Sequence, residues 1–217
     1  MKDLKNWIIE ADIASMQAAM ETGTLTSEEL VRAYLERIAQ YDTTINTILE
    51  INPDAIQIAK DLDKERKEAG SRGNLHGIPI LLKDNIDTKD NMHTSAGSIA
   101  LADSYAAKDS FVAVKLRAAG AVLLGKTNMS EWSNFMSSSM PAGYSSRGGQ
   151  VLNPYGPGEM FVSGSSSGSA GAVAANLGAA SIGTETAGSI VGPASQHSVV
   201  GIKPTVGLVS RDYPDLK

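Results

Sequence analysis

A single lysine, Lys83, directly follows the apolar run Ile78-Pro79-Ile80-Leu81-Leu82, and two Gly/Ser-rich turns lie far downstream, around 164–168 and 183–190. A lysine at the end of a buried strand is either a snorkelling charge or a group held in a site. A serine hydroxyl is a poor nucleophile unless a base removes its proton during attack, so the turns raise the question of which base the chain supplies. Taken one at a time, these residues also fit a plainer reading of tight turns and solvated charge.

Gly164-Ser165-Ser166-Ser167-Gly168 matches G-x-S-x-G, the nucleophile elbow of α/β-hydrolases, in which an acid and then a histidine follow the serine. Here only His197 follows, with Glu185 the one acid in a position to serve between them. The three histidines, at 76, 93 and 197, make a poor basis for a His triad. The loop lacks the Gly-Lys-Ser/Thr ending of a P-loop, and no His/Asp/Glu cluster has metal spacing. Cysteine is absent, which removes thiol catalysis and disulfides.

The elements that must position these residues can be read from periodicity and caps. Residues 1–70 read as helices. Asp12 caps a helix over Ile13–Glu21 that Gly23 closes, and Thr26 with Glu29 makes a capping box. Leu30, Tyr34, Ile38 and Tyr41 then form a helical stripe. Asn52-Pro53 is expected to open a further helix ending at Gly70. Beyond Gly70 the texture changes to buried strands at 78–82 and 121–124, with a helix between them capped by Asp109, running through Arg117 and stopped by Gly120. Long irregular loops are expected over 128–160. A small-residue helix near Gly168–Leu177 and a short strand around Ala179–Gly183 follow. This alternation points to an α/β sheet covered by helices.

With 42% hydrophobic and 20% charged residues, the 217-residue chain has ordinary globular composition and enough length for a sizeable core. A net charge of −5 without a long basic run argues against a nucleic-acid groove or an anionic-membrane patch. Glu10 and Asp12 interrupt the place where a signal peptide needs an apolar stretch, and no apolar run reaches membrane-span length, so a cytoplasmic location is the expectation.

Three ordered segments carry a more specific signal: GIPILLKDN at 77–85, GSSSGSAGAVAANLGAASIGTETAGSI at 164–190 and VVGIKPTVGLVS at 199–210. Together with GKTNMSEW at 125–132, they resemble the amidase signature family. Its members hydrolyse or transfer amides and include peptide amidases, fatty-acid amide hydrolases and the A component of glutamyl-tRNA amidotransferase. The resemblance runs from about Leu25 to the last residues. It implies an α/β core over 71–217, a mixed sheet sandwiched by helices, after a helical region over 1–70, all within one structural domain.

The resemblance also implies a Ser–cis-Ser–Lys triad. Lys83 follows the G-I-P strand, Ser165 opens the Gly/Ser loop after a cis peptide bond, and Ser189 of the G-S-I turn is the nucleophile. Backbone N–H groups of Thr186, Ala187, Gly188 and Ser189 would form the oxyanion hole. Neutral Lys83 would take a proton from Ser165 as Ser165 takes one from Ser189. That requires the lysine to fall from about 10.4 to roughly 7–8, a shift that burial can produce. No metal or organic cofactor is implied, and the partner is a small-molecule or peptide amide.

Asp84 and Asn85 either orient Lys83 or start a turn. Ala187 stands where the family often has Gly or Asp, and would be strained if the turn needed positive φ there. Family members continue for a large second half that completes the sheet and closes the substrate pocket. The expectation for this chain is an uncovered sheet edge with exposed apolar surface, amidase activity that is weak or lost, and a homodimer or a complementing C-terminal segment. The alternatives are an ammonia-supplying glutaminase-type component of an aminoacyl-tRNA amidotransferase and a catalytically inactive folded fragment that self-associates.

Overall fold

A computed structural model describes residues 4–210; the first three residues and 211–217, where the family resemblance ends, lie outside it. The chain opens with α1 (Leu4–Trp7), α2 (Ile13–Glu21) and α3 (Ser27–Ile45). Asp12 accepts from the Ser15 N–H at 2.6 Å, and Thr26 and Glu29 form the reciprocal capping box that the sequence predicts. Leu30, Tyr34 and Ile38 of the predicted stripe are buried. Tyr41 is exposed instead and lies under the Arg37 guanidinium, while Ile45, one turn further on, takes the inward place.

The helical reading of residues 1–70 misses β1 (Ile48–Ile51). This four-residue run is too short to show a period, and its strand character comes from pairing antiparallel with β3 (Val122–Thr127). Asn52 does not cap the next helix, α4 (Ala55–Ala69). Its side chain instead accepts from the Asp54 N–H at 3.0 Å and donates to the Leu123 carbonyl at 2.8 Å, closing a turn against the sheet.

The sheet runs β1-β3-β2-β6, with β2 (Pro79–Lys83) parallel to both β3 and β6 (Ala180–Ile182). It is mixed, and helices pack on it. Ile80, Leu81, Leu82, Val122, Leu123 and Leu124 are all essentially inaccessible, as expected of central parallel strands buried on both faces. Strand β3 runs three residues past its apolar stretch, through Gly125-Lys126-Thr127, because the buried polar groups there find partners. Lys126 Nζ donates to the Ile86 carbonyl at 2.6 Å, and Thr127 Oγ1 meets Ser169 Oγ at 2.7 Å.

Helix α5 (Phe111–Ala118) is capped by Ser110 rather than Asp109. The Asp109 carboxylate is used elsewhere, on the Lys89 N–H and the Arg117 guanidinium. The long-loop region holds a two-stranded ribbon, β4 (Tyr144–Ser145) with β5 (Gly149–Gln150). Helices α6 (Ser167–Ala174) and α7 (Val191–Gln196) complete the described fold. Edge strand β6 pairs only with β2 among the described residues, and beyond α7 the apolar residues Val200, Ile202, Val206 and Leu208 are 74–90% exposed.

Candidate active site

Lys83 is the last residue of β2, fully buried, and its neighbour across the parallel ladder is Thr127. The Gly/Ser loop reaches it from the start of α6. The Gly164–Ser165 peptide bond is cis. Gly168 lets this helix start lie directly on the end of β3: a Cβ there would come within 2.3 Å of the Asn128 carbonyl oxygen and 2.5 Å of that of Thr47. The Ser165 carbonyl accepts from the Ser130 N–H at 3.1 Å, and the Ser166 N–H donates to the Ser189 carbonyl at 3.1 Å. The second link ties the loop to the G-S-I turn.

The Lys83 amine meets four oxygens: Ser165 Oγ at 2.6 Å, Ser166 Oγ at 3.0 Å, Thr184 Oγ1 at 3.0 Å and the Thr184 carbonyl at 3.2 Å. None carries a formal charge. Burial therefore dominates and lowers the lysine pKa to about 7, opposed by the Glu185 carboxylate nearby. A neutral amine has two hydrogens and one lone pair. Ser166 already donates its hydrogen to the Thr184 carbonyl at 3.1 Å, so its oxygen is left to accept from Lys83. Of the hydroxyls around the amine, Ser165, at the shortest of the four contacts, and Thr184 are the two that could donate to its lone pair.

Ser189 is half-buried, and its side chain makes no hydrogen bond among the described residues. The structure thus brings Lys83 and Ser165 into direct contact and links Ser189 to their loop through the main chain, without a Ser165–Ser189 hydrogen bond. In the adjoining turn, positive φ falls at Gly188 (77°) and not at Ala187, which removes the strain considered for the alanine. Glu185 accepts from the Ile190 and Val191 N–H groups at 2.7 and 3.0 Å, and the Gly188 N–H also bears on its carboxylate. The N–H groups of Thr186, Ala187 and Ser189 have no protein acceptor among the described residues. A cavity of about 170 Å³ lies alongside, lined by Ser166, Ser169, Ala180, Ile190 and Val199 among others.

Asp84 and Asn85 separate in space. The Asp84 carboxylate accepts from Ser95 Oγ at 2.5 Å and the Gly97 N–H at 2.8 Å. Asn85 reaches Thr184 Oγ1 at 3.0 Å. Among the described residues no histidine bonds to either serine: His76 meets the Leu62 carbonyl, His93 meets Glu50, and His197 meets the Pro193 carbonyl. No group of three or more His, Cys, Asp or Glu among them is arranged to hold a metal ion, and no described helix is long and apolar enough to cross a membrane. Sequence reasoning missed Ser166 and Thr184 as partners of Lys83. The only signal was their place beside Ser165 and just ahead of the second turn, where any hydroxyl residue also suits a turn.

The family model for Amidase matches residues 29–213. A probable amidase of Arabidopsis thaliana is 52% identical over 206 residues, covering 94% of this chain and 40% of that protein. The A component of the glutamyl-tRNA(Gln) amidotransferase of Halorhodospira halophila is 40% identical over 199 residues, covering 92% of this chain and 40% of that protein. The native peptide amidase of Stenotrophomonas maltophilia superposes with a TM-score of 0.91 at 53% identity, covering 94% of this chain and 42% of that one. The chain spans about two fifths of the length of these relatives. Match by match, it is the N-terminal part of their fold, and the chain belongs to the amidase family.

Proposed function

We propose that this chain carries the proton-transfer machinery of a serine amidase. Ser189 Oγ attacks the carbonyl carbon of a carboxamide while Ser165 takes its proton and passes its own to neutral Lys83. The tetrahedral oxyanion rests on N–H groups of the 186–189 turn, where each donor is worth roughly 2.7–4 kcal/mol. The C–N bond then breaks as the proton returns through Ser165 to the leaving nitrogen, giving ammonia or an amine and an ester on Ser189. Water cleaves that ester by the same relay, releasing the acid. The observation that carries this reading is the 2.6 Å contact between the wholly buried Lys83 amine and Ser165, in a shell without a bonded carboxylate.

A fluorophosphonate probe tests it, since a nucleophile activated in this way is phosphonylated in the absence of any substrate. Peptide mapping is expected to find the adduct on Ser189 and none in Ser189→Ala. An adduct on Ser166 would favour the nucleophile-elbow reading instead. The amidotransferase relatives support a second reading, in which the same site releases ammonia from glutamine for a partner protein. Glutamine hydrolysis that appears only with a partner added would favour it over amidase action by the chain alone.

A second copy of this chain is the partner that its exposed apolar surface fits. The edge of β6 left unpaired among the described residues and the exposed Val200–Leu208 stretch are the surface that self-association would cover. Sedimentation velocity over a concentration series is expected to show association. A monomer at every concentration would remove this reading.

A further inference from the structure

Three hydroxyls surround the Lys83 amine, and each carries one hydrogen that could occupy its lone pair. Ser165 is the one whose proton must go there, on the proposed reading of Lys83 as the base. Ser166 is not a competitor, because its hydrogen points to the Thr184 carbonyl at 3.1 Å and its oxygen accepts from the Thr184 N–H at 3.3 Å. Thr184 is the remaining competitor, with Oγ1 3.0 Å from the amine. A hydroxyl free to rotate would turn its hydrogen to the strongest acceptor nearby, which is a neutral amine lone pair.

Asn85 offers this hydrogen a different acceptor. Its Nδ2 donates to Thr184 Oγ1 at 3.0 Å, and Thr184 Oγ1 donates back to its Oδ1 at 3.4 Å. Among the described residues, Asn85 and Lys83 are the only side chains that hydrogen-bond to this hydroxyl. The turn after β2 does not require the Asn85 side chain, since the Ile86 N–H closes it on the Lys83 carbonyl at 2.9 Å. The amide is also half-buried, where an idle polar side chain has water available.

We propose that Asn85 is a positioning residue that acts through Thr184: it holds the Thr184 hydrogen on its own amide and so reserves the Lys83 lone pair for Ser165. Thr184 Oγ1 is then only an acceptor, sharing the amine's two hydrogens with Ser166 Oγ and the Thr184 carbonyl. The proposal rests on Lys83 being the base, and its test separates the two.

The test is a double-mutant cycle on the full chain with Asn85→Ala, Thr184→Val and the double variant. The rate of fluorophosphonate labelling is read from pH 5 to 9, and the Lys83 titration is followed by the ¹³Cε shift in lysine-labelled protein, assigned with Lys83→Met. Asn85→Ala is expected to slow labelling about tenfold to a hundredfold, because the freed hydroxyl occupies the base. It also moves the Lys83 midpoint to lower pH, since a donor to the neutral amine favours that form. With Thr184→Val in place, the Asn85 substitution should change the rate by no more than about threefold. An Asn85→Ala variant that labels like the unaltered chain overturns the proposal, and so does a double variant as far below Thr184→Val as Asn85→Ala is below the unaltered chain. If the unaltered chain labels no faster than Lys83→Met, the base reading fails. The titration then decides the Asn85 proposal alone: a downward midpoint shift that Thr184→Val cancels supports it, and an unmoved midpoint rejects it.

Discussion

Two lysines lie at the ends of neighbouring strands, one the last residue and one the last but one, and both are wholly buried. Lys83 closes β2, and Lys126 sits on β3 level with Leu82, so their side chains leave the sheet toward different surroundings. Around Lys83 the bonded oxygens are neutral, from Ser165, Ser166 and Thr184, and the one carboxylate acting on it, Glu185, makes no bond to it. Around Lys126, burial also pushes the pKa down, but Asp84, Asp90, Asp87 and Glu50 all pull it back up. These carboxylates are themselves braced: Arg147 bonds Glu50 at 2.7 Å, and Arg117 bonds Asp90 at 2.6 Å. Both amines donate to neutral oxygens, Lys126 to the Ile86 carbonyl and Thr94 Oγ1, and burial lowers both. What differs is the number of carboxylates opposing that shift, one at Lys83 and four at Lys126.

Substitution breaks the comparison most sharply. Lys83→Ala is expected to lower Ser189 labelling by about a thousandfold or more, and Lys83→Arg not to restore it, since arginine cannot be deprotonated in a protein. Near-normal rates in Lys83→Arg would show an electrostatic or structural lysine. Lys126→Met should act on folding instead, costing about 1–3 kcal/mol in urea titrations because it leaves the Ile86 carbonyl and Thr94 hydroxyl without their donor.

The second expectation concerns stability against pH. Lys83 is lowered in the folded state to about 7, so between that pH and its ordinary value near 10.5 the unfolded chain binds a proton that the folded chain does not. Stability from this group accordingly rises with pH across that window and is lost as pH falls, by about 4–5 kcal/mol in all. Lys83→Met should remove that rise, seen as a flatter dependence of urea midpoints on pH from 7 to 10. An unchanged slope would mean that Lys83 stays charged.

The same titration sets the rate. Labelling of Ser189 should climb about tenfold per pH unit below a midpoint near 7 and level off above it, since only the neutral amine accepts a proton. A midpoint above pH 9 would show that Lys83 stays charged near neutral pH and is not the base. The smallest effect serves as a control: Thr26→Ala, at the capping box of α3 and away from both lysines, should cost about 1 kcal/mol in thermal melts and leave the Lys83 midpoint where it is.

Much of this contrast is legible in the sequence, and the part that is not has a definite cause. Lys83 stands out because five apolar residues precede it, and Ser165 and Ser189 because ordered motifs frame them. Lys126 follows a similar run, Ala121–Leu124 and Gly125, yet its role depends on carboxylates that come from β1, the turn after β2 and the loop beyond it. No local pattern joins Glu50, Asp84 and Asp90 to it. The caps show the same division. Asp12 and Thr26 act within three residues of themselves and show in the sequence, whereas Asn52 and Asp109 are drawn to Leu123, Lys89 and Arg117 by contacts that only folding creates.

By itself, then, the sequence determined whatever depends on near neighbours: the amphipathic α3 with its caps, the continuous apolar central strands, the glycines that allow a tight loop, and the motifs that mark the family. Tertiary structure alone decided which polar groups share a buried space. It made β1 a strand by offering β3 as a partner, extended β3 through two polar residues by satisfying them, and gave Lys83 neutral acceptors from Ser166 and Thr184, residues 83 and 101 positions away. The physical reason is that a buried charge or hydroxyl takes its character from the few atoms within about 3 Å, and in this chain those atoms come from distant segments.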